Sequence, residues 1–203
     1  MADKSQNNID IIQDGNYSAT YEQVNTLITF QKLWTKLSMW LRSLLISTAE
    51  DLDNKEAVTY ELYRIPTEFY NIFKVFYGPL ISQQFLKLLS TFVTSARQLI
   101  EAMKGGDSEA VNSAAAQMYQ TADQLAEFLS RINIYWDEDQ WKYLLNQFVK
   151  LFIDETVAML SGNYEQEIII FNRLDDITDI MGSYMARGII ARSERPTQGT
   201  VTP

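Results

Sequence analysis

Only 8 glycines and 4 prolines occur in the 203 residues, and they fall between long periodic segments. A many-turned β fold needs denser punctuation, so the chain is restricted to a few long elements. Within those elements apolar residues recur every three and four positions, which is the stripe of an amphipathic helix. The first helix opens at Thr20, which stands with Gln23 in the spacing of a capping box, and carries Leu27, Phe30, Leu33, Trp34, Leu37, Leu41, Leu44 and Leu45. A shorter helical piece is expected over 55–64, with another starting at Pro66, because proline tolerates a first turn. Gly78-Pro79 restarts the chain. The stripe then runs through Leu80, Ile81, Phe85, Leu88, Leu89, Phe92, Ala96, Leu99 and Met103 to Gly105-Gly106.

Asp107 caps the next helix, which shows Val111, Ala115, Met118, Ala122, Leu125, Leu129 and Ile132. The clearest local signal is the run from Trp136 to Trp141. Asp137 caps, Gln140 reaches back, and Trp136 packs on Trp141 as a hydrophobic staple. That helix continues through Leu144, Leu145, Phe148, Phe152 and Met159 to Ser161-Gly162. Asn163 caps a last helix bearing Ile168, Phe171, Leu174, Ile177, Met181 and Tyr184. Five long helices with short connections predict an all-α, mostly antiparallel helical bundle. Residues 20–192 read as one domain between flexible tails at 1–19 and 193–203.

Composition narrows the function more than the fold. Cysteine and histidine are both absent, which removes disulfides, thiolate nucleophiles, imidazole bases, and every thiolate or imidazole metal ligand. Seventeen basic against 26 acidic residues give a net charge of −9, which argues against nucleic acid or an anionic membrane as the main partner. No secretory signal and no stretch of membrane-spanning length is found, so a soluble cytoplasmic protein is the default expectation. There is no Gly-rich phosphate loop, dinucleotide fingerprint or nucleophile elbow; no catalytic set can be named and no cofactor is expected.

A shift of 56 positions superimposes more than hydrophobicity. It pairs Leu88 with Leu144, Phe92 with Phe148, Ala102-Met103 with Ala158-Met159, Gly106 with Gly162 and Asp123 with Asp179. A shift of 55 adds the first helix, pairing Leu33 with Leu88, Leu37 with Phe92 and Arg42 with Arg97. One reading is a helical hairpin used two or three times, with the second arm of the first copy degraded or shortened. The other is chance alignment of amphipathic helices of equal length.

Glu155 is the first candidate for a ligand-binding role. It lies on the stripe of Trp141, Phe148, Phe152 and Met159, where its repeat partners are Leu99 and Leu44. An inward carboxylate must be paired, hydrogen-bonded or protonated, which suits a proton carrier, a cation ligand or a substrate anchor. Alternatively the helix is slightly rotated and Glu155 stands at the stripe edge beside solvent or an arginine. Arg42 and Arg97 flank the core stripe at matched positions, either to clamp an anion or to pair with carboxylates of neighbouring helices.

The last helix is acidic at Asp175, Asp176 and Asp179, with Glu165 and Glu167 upstream. Asp175 and Asp179 are the metal candidates, for Mg²⁺, Ca²⁺ or Mn²⁺, against the simpler reading of a solvated face. Gly182 and Gly188 lie inside a helix, where glycine costs about 1 kcal/mol against alanine, so a close helix approach is expected there, such as a dimer interface.

Leu33-Trp34-Thr35-Lys36-Leu37-Ser38-Met39-Trp40-Leu41-Arg42-Ser43, Phe76-Tyr77-Gly78, Ala126-Glu127-Phe128-Leu129-Ser130, Ile132-Asn133 and Tyr135-Trp136 carry a resemblance. Over about 30–190 the chain resembles a family of small, uncharacterised helical proteins of spore-forming and related Firmicutes. Members are often labelled acetylglutamate kinase, a label that a chain without α/β pattern or phosphate loop does not support. The resemblance implies a histidine on each of three helices at the positions of Leu37, Phe92 and Phe148. All three are apolar here, so it further implies that any site those histidines form has been replaced by core packing. The leading expectation is a non-catalytic binding or assembly module, with a protein partner or self-association. The alternative is a small-ligand or divalent-cation-binding bundle built on Glu155.

Overall fold

A computed structural model describes residues 19–194. The flexible-tail reading of 1–18 and 195–203 lies outside the described residues. The chain forms helices α1 (Tyr21–Ala49), α2 (Lys55–Gly105), α3 (Ser108–Ile132), α4 (Glu138–Leu160) and α5 (Tyr164–Ser193), and no strand occurs among the described residues. It is an all-α bundle. Among these residues no helix is long and apolar enough to cross a membrane.

α2 is two rods rather than one. Gly78 has φ 74° and ψ 171°, values outside the helical region, and breaks α2 into limbs at 55–77 and 79–105. The break at Gly78-Pro79 matches the sequence, but the expected break at Pro66 does not occur. Val58, Leu62, Ile65, Phe69, Phe73 and Tyr77 form one buried stripe that runs straight through Pro66. Burying that stripe outweighs the backbone hydrogen bond that proline removes. Leu80 is a second departure: directly after the break it points outward rather than joining the stripe.

The result is three antiparallel hairpins, α1 with the first limb of α2, the second limb with α3, and α4 with α5. The same left-handed turn ends the first arm of each. Asp51 (φ 52°), Gly106 (φ 71°) and Gly162 (φ 72°) occupy the left-handed position. Their N–H groups donate to Thr48 O, Met103 O and Met159 O. The next N–H groups, of Leu52, Asp107 and Asn163, reach back to Ser47 O, Ala102 O and Ala158 O. This paired pattern satisfies the last carbonyls of a helix and places the following residue to begin another. Asp107 and Asn163 then cap α3 and α5, accepting from Ala110 N and Gln166 N. The second arm of the first hairpin is full length at 55–77, which corrects the expectation that it is shortened.

Adjacent helices pack in order, α5 returns to lie against α1, and both α1 and α2 touch α4. The ring therefore closes around the stripes of the first arms. Leu37, Phe92 and Phe148 are all in this core, and the Phe92 and Phe148 rings lie 5.7 Å apart. At the end of the bundle opposite the hairpin turns, Trp136 packs edge-on against Trp141 at 6.0 Å. Asp137 caps α4 by accepting from Gln140 N, as expected. Gln140 does not reach back, however. The Asp137 N–H donates instead to the Tyr184 hydroxyl at 2.6 Å, so α5 completes this cap.

The left-handed positions make a test of the turns. Gly106→Ala and Gly162→Ala should each lower stability by about 1 kcal/mol in urea denaturation. Asp51→Gly should stay within about 0.5 kcal/mol of the parent or exceed it, because glycine relieves the same backbone constraint.

Candidate functional site: a buried carboxyl pair under one arginine

Glu155 faces inward, with 1% of its surface exposed. Its α4 register follows from Trp141, Leu144, Phe148 and Phe152, which fix the buried face two turns upstream. α1 brings Arg42 to this point, and α5 brings Glu167, itself only 2% exposed. Arg42 grips Glu167 with two bonds, Nε to Oε1 at 2.7 Å and Nη2 to Oε2 at 3.0 Å, while Phe171 supports its guanidinium face at 4.4 Å. Glu155 Oε1 lies 3.6 Å from Arg42 Nε, beyond a hydrogen bond, and this oxygen has no hydrogen-bond partner among the described residues.

One guanidinium thus serves two buried carboxyl groups and binds only one of them fully. Burial raises the Glu155 carboxyl to about 8, the adjacent Glu167 charge and hydrogen bond push the same way, and Arg42 opposes them. A carboxyl shifted this far favours its neutral form near physiological pH. Arg42 is raised above its ordinary value, chiefly by its hydrogen bonds to Glu167.

The sequence located Glu155 but placed Glu167 on a solvated face. The reason is a rotation of one residue in α5. Its buried stripe is Glu167, Ile170, Leu174, Thr178, Met181 and Met185, whereas Ile168 points to solvent. The run Ile168-Ile169-Ile170-Phe171 fits several helical stripes, and hydrophobicity alone cannot choose among them. The usable signal is Arg42, a guanidinium beside a core stripe that needs a buried anion.

Arg97 does not join this site. It pairs with Glu101 on its own helix at 3.0 Å and donates to the Tyr63 hydroxyl at 3.2 Å, staying on the two limbs of α2. Asp175 and Asp179 are exposed, and among the described residues no group of three or more potential ligands converges on a metal. Partial burial, followed by the neighbouring Asp179 and Asp176, raises Asp175.

The two glycines are used within the chain, which corrects their reading as a dimer interface. A Cβ on Gly182 would stand 2.5 Å from the Gln31 backbone, so this glycine lets α5 touch α1. A Cβ on Gly188 would overlap the Trp136 indole, whose Nε1 donates to Tyr184 O at 3.3 Å. Nothing in the pattern pointed to two buried indole N–H groups, those of Trp34 and Trp141, that have no acceptor among the described residues and whose rings lie 6.3 Å apart in the core.

Chemically the cluster can hold or release one proton, since Glu155 has a free oxygen and a carboxyl neighbour. Comparison with known protein families, with curated proteins and with solved structures finds no match.

Proton linkage checks this geometry. The folded Glu155 keeps its proton to a pH well above the ordinary carboxyl value, so the folded state binds the proton more tightly than the unfolded state. The resulting stabilisation is complete below about pH 4.5 and is lost as pH rises toward about 8. Glu155→Gln should remove that decline and stabilise the protein at pH 8.5 by roughly 1–3 kcal/mol, read from denaturation across pH.

Proposed function

We propose that this protein is a non-catalytic binding or assembly module, a helical scaffold that presents an apolar end to a protein partner or to a second copy of itself. The observation that carries this is the exposure of two large aliphatic side chains at the junctions between hairpins, Leu80 at 82% and Ile134 at 69%. Both junctions lie at the end opposite the three hairpin turns. That end is otherwise well ordered by its own contacts: Asn133 Nδ2 donates to the Tyr77 hydroxyl at 2.9 Å, and Arg192 lies over the Tyr77 ring at 4.5 Å. Apolar side chains held on a rigid rim favour a protein contact. The acidic chain does not favour nucleic acid or anionic lipid as the partner.

A role without catalysis also fits the core. Leu37, Phe92 and Phe148 are packed in the core, and on the resemblance to the Firmicute family, which implies histidines at these positions, we read the chain as a divergent relative with packing in place of that site. The matched turns at spacings of 55 and 56 support descent from a repeated hairpin. A second reading, a small-ligand or cation site, is favoured by one observation, the unpartnered Oε1 of Glu155.

Native mass spectrometry of the untagged protein separates the two. Assembly predicts a multiple of the chain mass or a co-purified protein, which Leu80→Asp/Ile134→Asp abolishes while the melting temperature stays within about 3 °C. A small adduct lost on Glu155→Gln would favour the ligand reading. A bare monomer, unchanged by either variant, would count against self-association.

A further inference from the structure

A groove distinct from the Leu80–Ile134 rim runs along α1 and the first limb of α2, then turns around the start of α1. It has three joined parts. The first, about 340 Å³, lies between Lys32, Lys36, Glu68 and Ile72. It shares Thr29 and Ile72 with a second part of about 210 Å³, floored by Phe30, Val75 and Phe76. That part shares Asn25, Thr26 and Phe76 with a third of about 720 Å³, bounded by Tyr21, Ile190 and Glu194. Val75 is 74% exposed along this path. At the far end Lys36 pairs with Glu68 at 2.8 Å, whereas Lys32 is exposed and forms no ion pair among the described residues.

From this surface we infer that the chain's own segment Ile9-Asp10-Ile11-Ile12 docks in the α1/α2 groove, with isoleucines over Ile72 and Val75 and Asp10 beside Lys32. The argument is one of reach and composition. The described chain begins at Ala19, next to Thr20, which lines the third part of the groove. Ile12 lies eight residues before Thr20, which spans up to about 26 Å of extended chain. Thr29 lies nine residues into α1, about 14 Å along the helix. Asp10, with about 33 Å of reach, likewise attains Lys32 at about 18 Å. Gly15 supplies a place for the chain to reverse.

The segment holds three isoleucines in four residues, flanked by polar sequence. The other candidate within reach, residues 195–203, has a single aliphatic residue beyond proline, Val201. Charge agrees as well: an acid between isoleucines meets a lysine that has no ion pair among the described residues, in a chain of net charge −9.

The absence of cysteine makes this directly measurable. Val75→Cys places a single thiol on the groove, and Val157→Cys, also at an exposed position, places one on α4 as a control. In the full-length protein, maleimide labelling of the Val75→Cys thiol should be at least about fivefold slower than in the same protein carrying Ile9→Ser, Ile11→Ser and Ile12→Ser. The Val157→Cys thiol should label equally fast in both backgrounds, which shows that the change is confined to the groove, and equal helical circular dichroism and melting temperature show that the bundle is folded in each. The slow rate should not change with protein concentration, and Asp10→Lys should recover part of the difference.

Equal rates with and without the isoleucines would overturn the inference. So would protection that grows with protein concentration, since that places the segment in the groove of a second copy. Neither outcome bears on the Leu80–Ile134 rim, which has its own variants.

Discussion

Everything in this bundle depends on the first and last helices finding each other. Consecutive hairpins pack through short connections, but α1 and α5 are separated by more than a hundred residues and must close the ring without local help. Two contacts fix that seam. Gly182 removes a side chain so that α5 lies directly on the backbone of α1 near Gln31. The bidentate Arg42–Glu167 pair then sets the register further along, and Gln31 donates to Ser183 at 3.1 Å beside the glycine contact. A glycine contact fixes distance, and a forked ion pair fixes rotation and sliding.

The ion pair has a consequence for its neighbourhood. Bringing Glu167 into the core beside Glu155 places two carboxyl groups under one arginine, and burial together with the Glu167 charge raises Glu155 so that its neutral form is favoured. Corresponding positions elsewhere in the fold show the apolar solution. Leu44 and Leu99 stand where α4 has Glu155, and both are fully buried. Val111 and Ile153 stand where the seam has Glu167 and Arg42 and carry no charge, whereas the third pair of corresponding positions, Glu56 and Arg97, is charged. Replacing buried ion pairs by packed apolar groups is commonly neutral or stabilising, which points to specificity of closure rather than raw stability as the role of the ionic version.

Much of this was legible in the sequence, for reasons that can be stated. Helix starts at Thr20, Asp107, Asp137 and Asn163 were marked by residues whose side chains accept from backbone N–H groups, and all four cap as expected. Gly78 and Gly106 were readable because left-handed backbone favours glycine, but Asp51, in the same conformation, was not. Pro66 was read as a break because local propensity was weighed without the buried stripe that crosses it. Glu155 was visible because the α4 stripe is unambiguous. Glu167 was hidden by four consecutive apolar residues that let α5 be read one position rotated, and an arginine beside a core stripe was the only available clue. Tertiary facts such as Gly182 against Gln31 leave only the bare glycine in the sequence, which states that something approaches but not what.

The central claim is that the Arg42–Glu167 pair acts as a unit to close α5 on α1. A thermodynamic cycle of Arg42→Leu, Glu167→Leu and the double variant, measured by urea denaturation at pH 6 where Glu155 holds its proton, tests it most directly. Each single variant should lose about 3–5 kcal/mol, because it leaves its buried or partly buried partner unpaired, and the double variant should recover about 2 kcal/mol or more relative to additivity. Single losses that simply add, to within about 0.5 kcal/mol, would mean that the two side chains stabilise the bundle independently, and the account of how the ring closes would be wrong.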